Sequence, residues 1–296
     1  MMLPSFVLPS YCNTVAGYTG MDSPEQCFDP VHFAAYPKPI LYQYNSRGYR
    51  DREWPPAPQH AVWCFGDSFT VGLGSAYSHT WCQQLEQVSN IRTVNISMNG
   101  ASNDWIVRKV QEMSQEIRPR AVVLHWTYLH RRETQSWDIE HLVDQNWQQF
   151  YSQIKDSSWP RCDHFRQFGQ LPQHIQQEIL DQHVDPERDY WFRTDYEKTI
   201  DEHRMQEFDV MATPEQDVQN LITAIDQVEQ LGLLVVHSFI PGFAPDSATQ
   251  EQIQTHCQQH GYRVVCDLKR LDRARDGHHY DILTARWLAD QVAQLI

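Results

Sequence analysis

The chain has 296 residues, with 24 Lys+Arg against 38 Asp+Glu and a formal charge of −14. With 10 Trp, 13 Tyr and 12 Phe and 41% hydrophobic residues, it has the apolar surface for a full core, which excludes wholesale disorder. The acidic balance argues against nucleic acid as a main partner, because neutralising phosphates needs clustered Lys and Arg. No apolar run approaches the ~20 residues of a membrane-spanning helix.

In chain order, residues 1–58 come first. They are rich in Pro, Tyr and Asn and read as an extended arm wrapped on a core. The first residues lack a basic region, and prolines interrupt their apolar stretch, so they read as mature protein and not as a signal peptide. The seven cysteines include no CxxC spacing, so reduced thiols in a cytoplasmic setting are expected. A Cys12–Cys27 bridge is open but has no support in the spacing. Residues 59–296 read as one domain. Short apolar runs at 61–65, 92–96, 121–124, 233–236 and 263–266 look like strands covered on both faces, with Cys64 and Cys266 inside two of them. Helices are expected over 81–88, about 103–117, from Thr213, over 246–259 and over 283–296. The fourth strand's helix has the clearest start: Thr213 as N-cap, Pro214 at the first position and Gln216 completing a capping box, with Gly232 as its stop. The last helix should bury Leu283, Trp287, Leu288, Val292 and Leu295. This strand–helix alternation predicts an α/β fold with a mostly five-stranded parallel sheet. Residues 134–212 are polar, hold Trp137, Trp147, Trp159 and Trp191, and read as an insertion. It is either a lid or cap over the site or a packing subdomain.

The segment carrying most chemical information is Gly66-Asp67-Ser68, which a hydrophobic strand enters directly. A serine at such a turn lies outside the carboxyl end of its strand, where open α/β sheets place ligands. A P-loop is excluded because no GxxxxGK[ST] is present, and the Gly-x-Ser-x-Gly elbow is absent because Thr70 stands two after Ser68. Without a partner, a serine at such a turn is more often a mere cap. Serine is a poor nucleophile unless a base activates it. Asp276-Gly277-His278-His279, between the fifth strand and the last helix, offers a histidine and an orienting carboxylate. Either histidine could be the base on residue type alone. His125 and His130 lack the companions of a metal-ligand set, so no metal is expected. Arg131 and Arg132 read as salt-bridge partners of Glu133, or as cations for a substrate carboxylate or hydroxyl.

Together Gly66-Asp67-Ser68 and Asp276-x-x-His279 resemble the SGNH/GDSL hydrolase family. The Asn45-Ser-Arg-Gly-Tyr-Arg50 stretch looks like an arm of one bacterial branch, and Val94-Asn-Ile-Ser-Met-Asn-Gly100 looks like the family's second block. The match covers roughly 41–130 and 213–296. The resemblance implies a three-layer α/β/α flavodoxin-like fold, Ser68 as nucleophile, His279 as base in preference to His278, and Asp276 as its orienting carboxylate. It also implies the N–H groups of Ser68 and Gly100 as an oxyanion hole, with no cofactor. The third block departs from the family: after residues 121–124 the chain has His125-Trp-Thr-Tyr and not Gly-x-Asn-Asp. Thr127 or Asn103 could stand in for the missing donor, although Asn103-Asp104 could as easily cap the helix that follows. Losing one such donor typically costs ~2.7–4 kcal/mol of transition-state stabilisation.

The expected function is a serine ester hydrolase, an esterase or deacylase on a small-molecule or glycan ester. The resemblance suggests O-acetylated carbohydrate. An O-acyltransferase with the same triad, or a non-catalytic carbohydrate-binding protein on a hydrolase scaffold, are the alternatives.

Overall fold

The computed structural model of the protein describes residues 6, 8, 11–36, 39–129, 131, 214–244 and 246–296. The N-terminal segment contributes β1 (Val15–Ala16), α1 (Pro30–Ala35) and β2 (Tyr42–Gln43), with β1 and β2 paired antiparallel. Then follow β3 (Val62–Gly66), α2 (Ser68–Val71), α3 (Trp81–Ser89), β4 (Thr93–Ser97), α4 (Asn103–Glu116) and β5 (Ala121–Trp126). After the undescribed stretch come α5 (Pro214–Glu229), β6 (Val235–Phe239), α6 (Ser247–Gln259), β7 (Arg263–Val264) and α7 (Ile282–Ala293).

Strands β3 to β7 form one parallel sheet in the order β4-β3-β5-β6-β7. Counted along the chain, that is 2-1-3-4-5, the flavodoxin-like order, and it puts the switch point between β3 and β5. Every residue of β3, β4, β5 and β6 is buried, which is why these strands read as continuous apolar runs and not as alternating ones. Helices α3 and α7 pack on each other, as do α4, α5 and α6. Helix starts follow local chemistry: Thr80 accepts from Gln83 N, Ser102 from Trp105 N and Asp246 from Thr249 N. Ser102, and not Asn103, therefore caps α4. No helix among the described residues is long and apolar enough to cross a membrane.

The N-terminal segment runs along this core. Phe6 meets Trp63 of β3 edge to face at 6.0 Å, and the buried Arg50 donates to the carbonyls of Val71, Gly72 and Ser75. Asp51 reaches the free side of β4, the sheet's outermost strand there. Its Oδ2 accepts from Asn95 N, and Glu86 Oε2 accepts from Thr93 N, each at 3.1 Å.

Three expectations need correction. The run at 233–236 becomes strand only from Val235 and continues through His237 and Ser238, because both polar side chains find partners inside the sheet. Strand β7 is only two residues long, so Cys266 lies beyond it and is half-buried, whereas Cys64 is fully buried. Leu283 is 59% exposed and Trp287 and Leu295 are half-buried; α7 buries Leu288 and Val292 as expected, together with Thr284, Ala285 and Ala289. Cys12 and Cys27 are both free thiols. The expectations for Thr213, His130, Arg132, Glu133 and the 134–212 insertion fall outside the described residues.

Candidate active site

Ser68 stands one turn beyond the carboxyl end of β3, beside the switch point. Two local facts hold it there. Asp67 caps α2, its Oδ1 accepting from Phe69 N at 3.0 Å. Gly66 is required by space: a Cβ at this position would lie 2.1 Å from Thr70 Oγ1 and 3.1 Å from the His125 carbonyl oxygen.

The distant 274–279 loop arrives at the same rim. His279 Nε2 lies 2.8 Å from Ser68 Oγ, and His279 Nδ1 lies 2.5 Å from Asp276 Oδ2. Asp276 Oδ1 accepts from the backbone N–H groups of His278 and His279, so both carboxylate oxygens are fixed. Ser68, His279 and Asp276 are 3%, 1% and 0% exposed, so water does not compete for these contacts. Burial pushes the Asp276 carboxyl up. The His279 ring and the two backbone N–H groups outweigh that and hold it below the usual carboxylate value. Of the two histidines, His279 is the one that meets Ser68 and Asp276. His278 points elsewhere, with Nε2 3.3 Å from Tyr128 OH and its ring 5.4 Å from that of the exposed Phe28.

The two weaker oxyanion candidates are committed to the scaffold. Asn103 Nδ2 donates to the Thr127 and Tyr128 carbonyls, and its Oδ1 accepts from Thr127 N at 3.0 Å. The Thr127 hydroxyl donates to Asp67 Oδ2 at 2.5 Å and accepts from Arg131 Nη1 at 2.8 Å. Each therefore spends its donors on positioning, and neither replaces the family's missing Asn in this arrangement. Gly100 is buried with φ +79°, just after β4. Among the described residues, no hydrogen bond between backbone groups engages the N–H of either Ser68 or Gly100.

Arg131 Nη1 donates to Asp67 Oδ2 at 2.7 Å, both side chains being buried, while Glu133 lies outside the described residues. The residue next to Ser68 is thus tied by an ion pair to the segment that follows β5, a partner the sequence does not signal.

Both ring nitrogens of His125 are engaged inside the core, and among the described residues no group of three His, Cys, Asp or Glu side chains could hold a metal ion. Ser238 donates its one proton to the Leu124 carbonyl, so it can only accept from His125 Nδ1–H; Nε2 then accepts from Tyr280 OH at 3.0 Å. Burial pushes this imidazole down from 6.5 to about 4, against a smaller upward pull from Asp67. In the window between those values the unfolded chain binds a proton that the folded chain does not, so stability falls as pH falls. The full loss across it is about 3 kcal/mol. Urea titrations of wild type and His125→Gln across this range check it: the variant's stability should depend less steeply on pH.

No family model and no curated protein matches the chain. Among solved structures, it is similar to a member of the lipolytic protein G-D-S-L family from Veillonella parvula DSM 2008, at 10% identity and TM-score 0.42, covering 80% of this chain and 97% of that one. It is also similar to the psychrotrophic esterase EstA from Pseudoalteromonas sp., at 9% identity and TM-score 0.41, covering 80% and 96%. A third is TesA, at 13% identity and TM-score 0.40, covering 79% and 97%. The likeness is to G-D-S-L lipolytic proteins and esterases.

Proposed function

We propose that the chain is a serine ester hydrolase acting by acyl transfer through Ser68. One observation carries the reading: His279 sits within hydrogen-bond reach of Ser68 Oγ on one ring nitrogen and of Asp276 on the other. With Asp276 accepting from Nδ1–H, Nε2 is left as the base. Ser68 Oγ attacks the ester carbonyl carbon while His279 Nε2 takes the hydroxyl proton. The carbonyl oxygen becomes an oxyanion, and in this reading the N–H groups of Ser68 and Gly100 stabilise it. Collapse breaks the bond to the alcohol, which leaves with the proton from His279. A water, deprotonated by the same nitrogen, then attacks the acyl-enzyme and releases the acid and Ser68.

The steps draw only on side chains, backbone N–H groups and water. The substrate class in this reading is a small-molecule or glycan ester, with O-acetylated carbohydrate as the candidate suggested by the family resemblance. Residues 59–296 then form the catalytic domain and residues 1–58 an arm that braces it. The test is direct. The protein should hydrolyse short-chain p-nitrophenyl esters, and a fluorophosphonate probe should label it once, at Ser68 by peptide mapping. An inert serine together with no ester turnover would overturn the reading.

A further inference from the structure

The loop that carries both His279 and Asp276 is closed by its own hydrogen bonds and is also held from outside. Arg275, immediately before Asp276, donates from Nε to Asp22 Oδ1 at 2.8 Å and from Nη2 to Asp22 Oδ2 at 2.6 Å. Its Nη2 also donates to the Gly17 carbonyl, and its guanidinium lies 5.0 Å from the Tyr18 and Phe33 ring centres. Asp22 Oδ2 accepts a further bond from Tyr42 OH at 2.5 Å, and that hydroxyl in turn accepts from Gly74 N at 2.7 Å. Gly74 O accepts from Arg275 N at 2.8 Å. The bonds therefore close a ring: Gly74, Tyr42, Asp22, Arg275 and back to Gly74.

The position of this ring matters more than its strength. Gly74 belongs to the turn that follows the nucleophile's helix, Arg275 to the base loop, and Asp22 and Tyr42 to the N-terminal segment. The turn and the loop approach so closely that a Cβ on Gly74 would lie 2.7 Å from Ala274 Cβ and 3.0 Å from Asp276 N. His32 adds a second tie, its Nε2 standing 2.7 Å from the Ala274 carbonyl. Asp22 and Tyr42 are fully buried and Arg275 nearly so. A buried ion pair is a poor source of net stability, because desolvation offsets its attraction; what it supplies is one geometry, fixed by the fork of the guanidinium on the carboxylate.

We propose that Asp22, Arg275 and Tyr42 are positioning residues for the triad, setting the approach of His279 to Ser68 from the N-terminal segment. The proposal rests on the reading of the site as a hydrolase, and its test separates the two. The first readout needs no activity: in proton NMR, the Nδ1–H of His279 bonded to Asp276 should give a far-downfield resonance. Asp22→Asn and Arg275→Gln should shift or broaden it. Asp276→Ala should abolish it, which assigns it. The second readout is ester turnover. Each variant should lose about 10–100-fold in kcat with KM within about twofold, as a displaced base does. The double variant should be no worse than the poorer single, because the two residues act through each other. Arg275→Lys, which keeps the charge but loses the fork, should fall between wild type and Arg275→Gln. It is read alone if the others do not fold. An unchanged resonance and unchanged kcat in folded variants, whatever happens to their melting temperature, would overturn the proposal. A resonance that moves in a protein that turns over no ester would leave the clamp standing and remove the hydrolase.

Discussion

Replacing Ser68 by alanine is expected to lower kcat on the order of 10⁴–10⁶-fold while leaving the fold intact. The side chain is buried and its hydroxyl meets His279, so the substitution removes a hydroxyl without uncovering a charge. His279→Ala should cost a comparable factor, because an unactivated serine does little at neutral pH. The two should not multiply. Once either member is gone the other has nothing to act on, so the double variant should match the poorer single one. Steady-state kinetics on a p-nitrophenyl ester decide the point. Additive losses would mean that the two residues act separately and that their 2.8 Å contact is incidental. Residual turnover in all three variants, above the rate in water, would measure what the backbone N–H groups and binding contribute without the triad.

Asp276→Asn should reduce kcat by about 10⁴-fold through the tautomer and not through the fold. The asparagine oxygen can keep accepting from the N–H groups of His278 and His279, so the loop retains its two backbone bonds. Its amide then faces His279 Nδ1 with a donor in place of an acceptor. The ring responds by carrying its proton on Nε2, and that nitrogen can no longer receive one from Ser68. The kinetic loss should come with loss of fluorophosphonate labelling and a near-normal melting temperature. A variant as active as wild type would show that Asp276 does not set the ring's state.

The sequence announced the sheet because its central strands are buried on both faces, and such strands cannot hide as alternating patterns. It misplaced β6 for a chemical reason. His237 accepts from Trp126 Nε1–H on one nitrogen and meets Glu229 on the other, and Ser238 bonds across to β5, so two polar residues sit in a core strand that an apolar run does not mark. The meeting of the Ser68 and His279 segments was legible because their chemistry is local: a glycine-tight turn and a carboxylate three residues before a histidine. Asn103 and Thr127 were misjudged because a side chain's type says what it can donate, while only its neighbours say where the donation goes. The ring through Asp22, Tyr42, Gly74 and Arg275 left no trace at all. Each link joins residues remote in the chain, with no period and no motif.

The carboxylates along β4 bear on how this molecule behaves among copies of itself. An outermost strand normally offers a ladder of vacant amides on which a neighbouring polypeptide can lay down a further strand. Here Asp51 and Glu86 occupy two of those amides, and Arg92 and Arg52 crowd the same side with charge. An incoming chain would have to displace a buried anion and its cations before making its first bond. On that flank the sheet is closed to growth, and crowded solutions of the protein gain no route to fibrillar stacking from it.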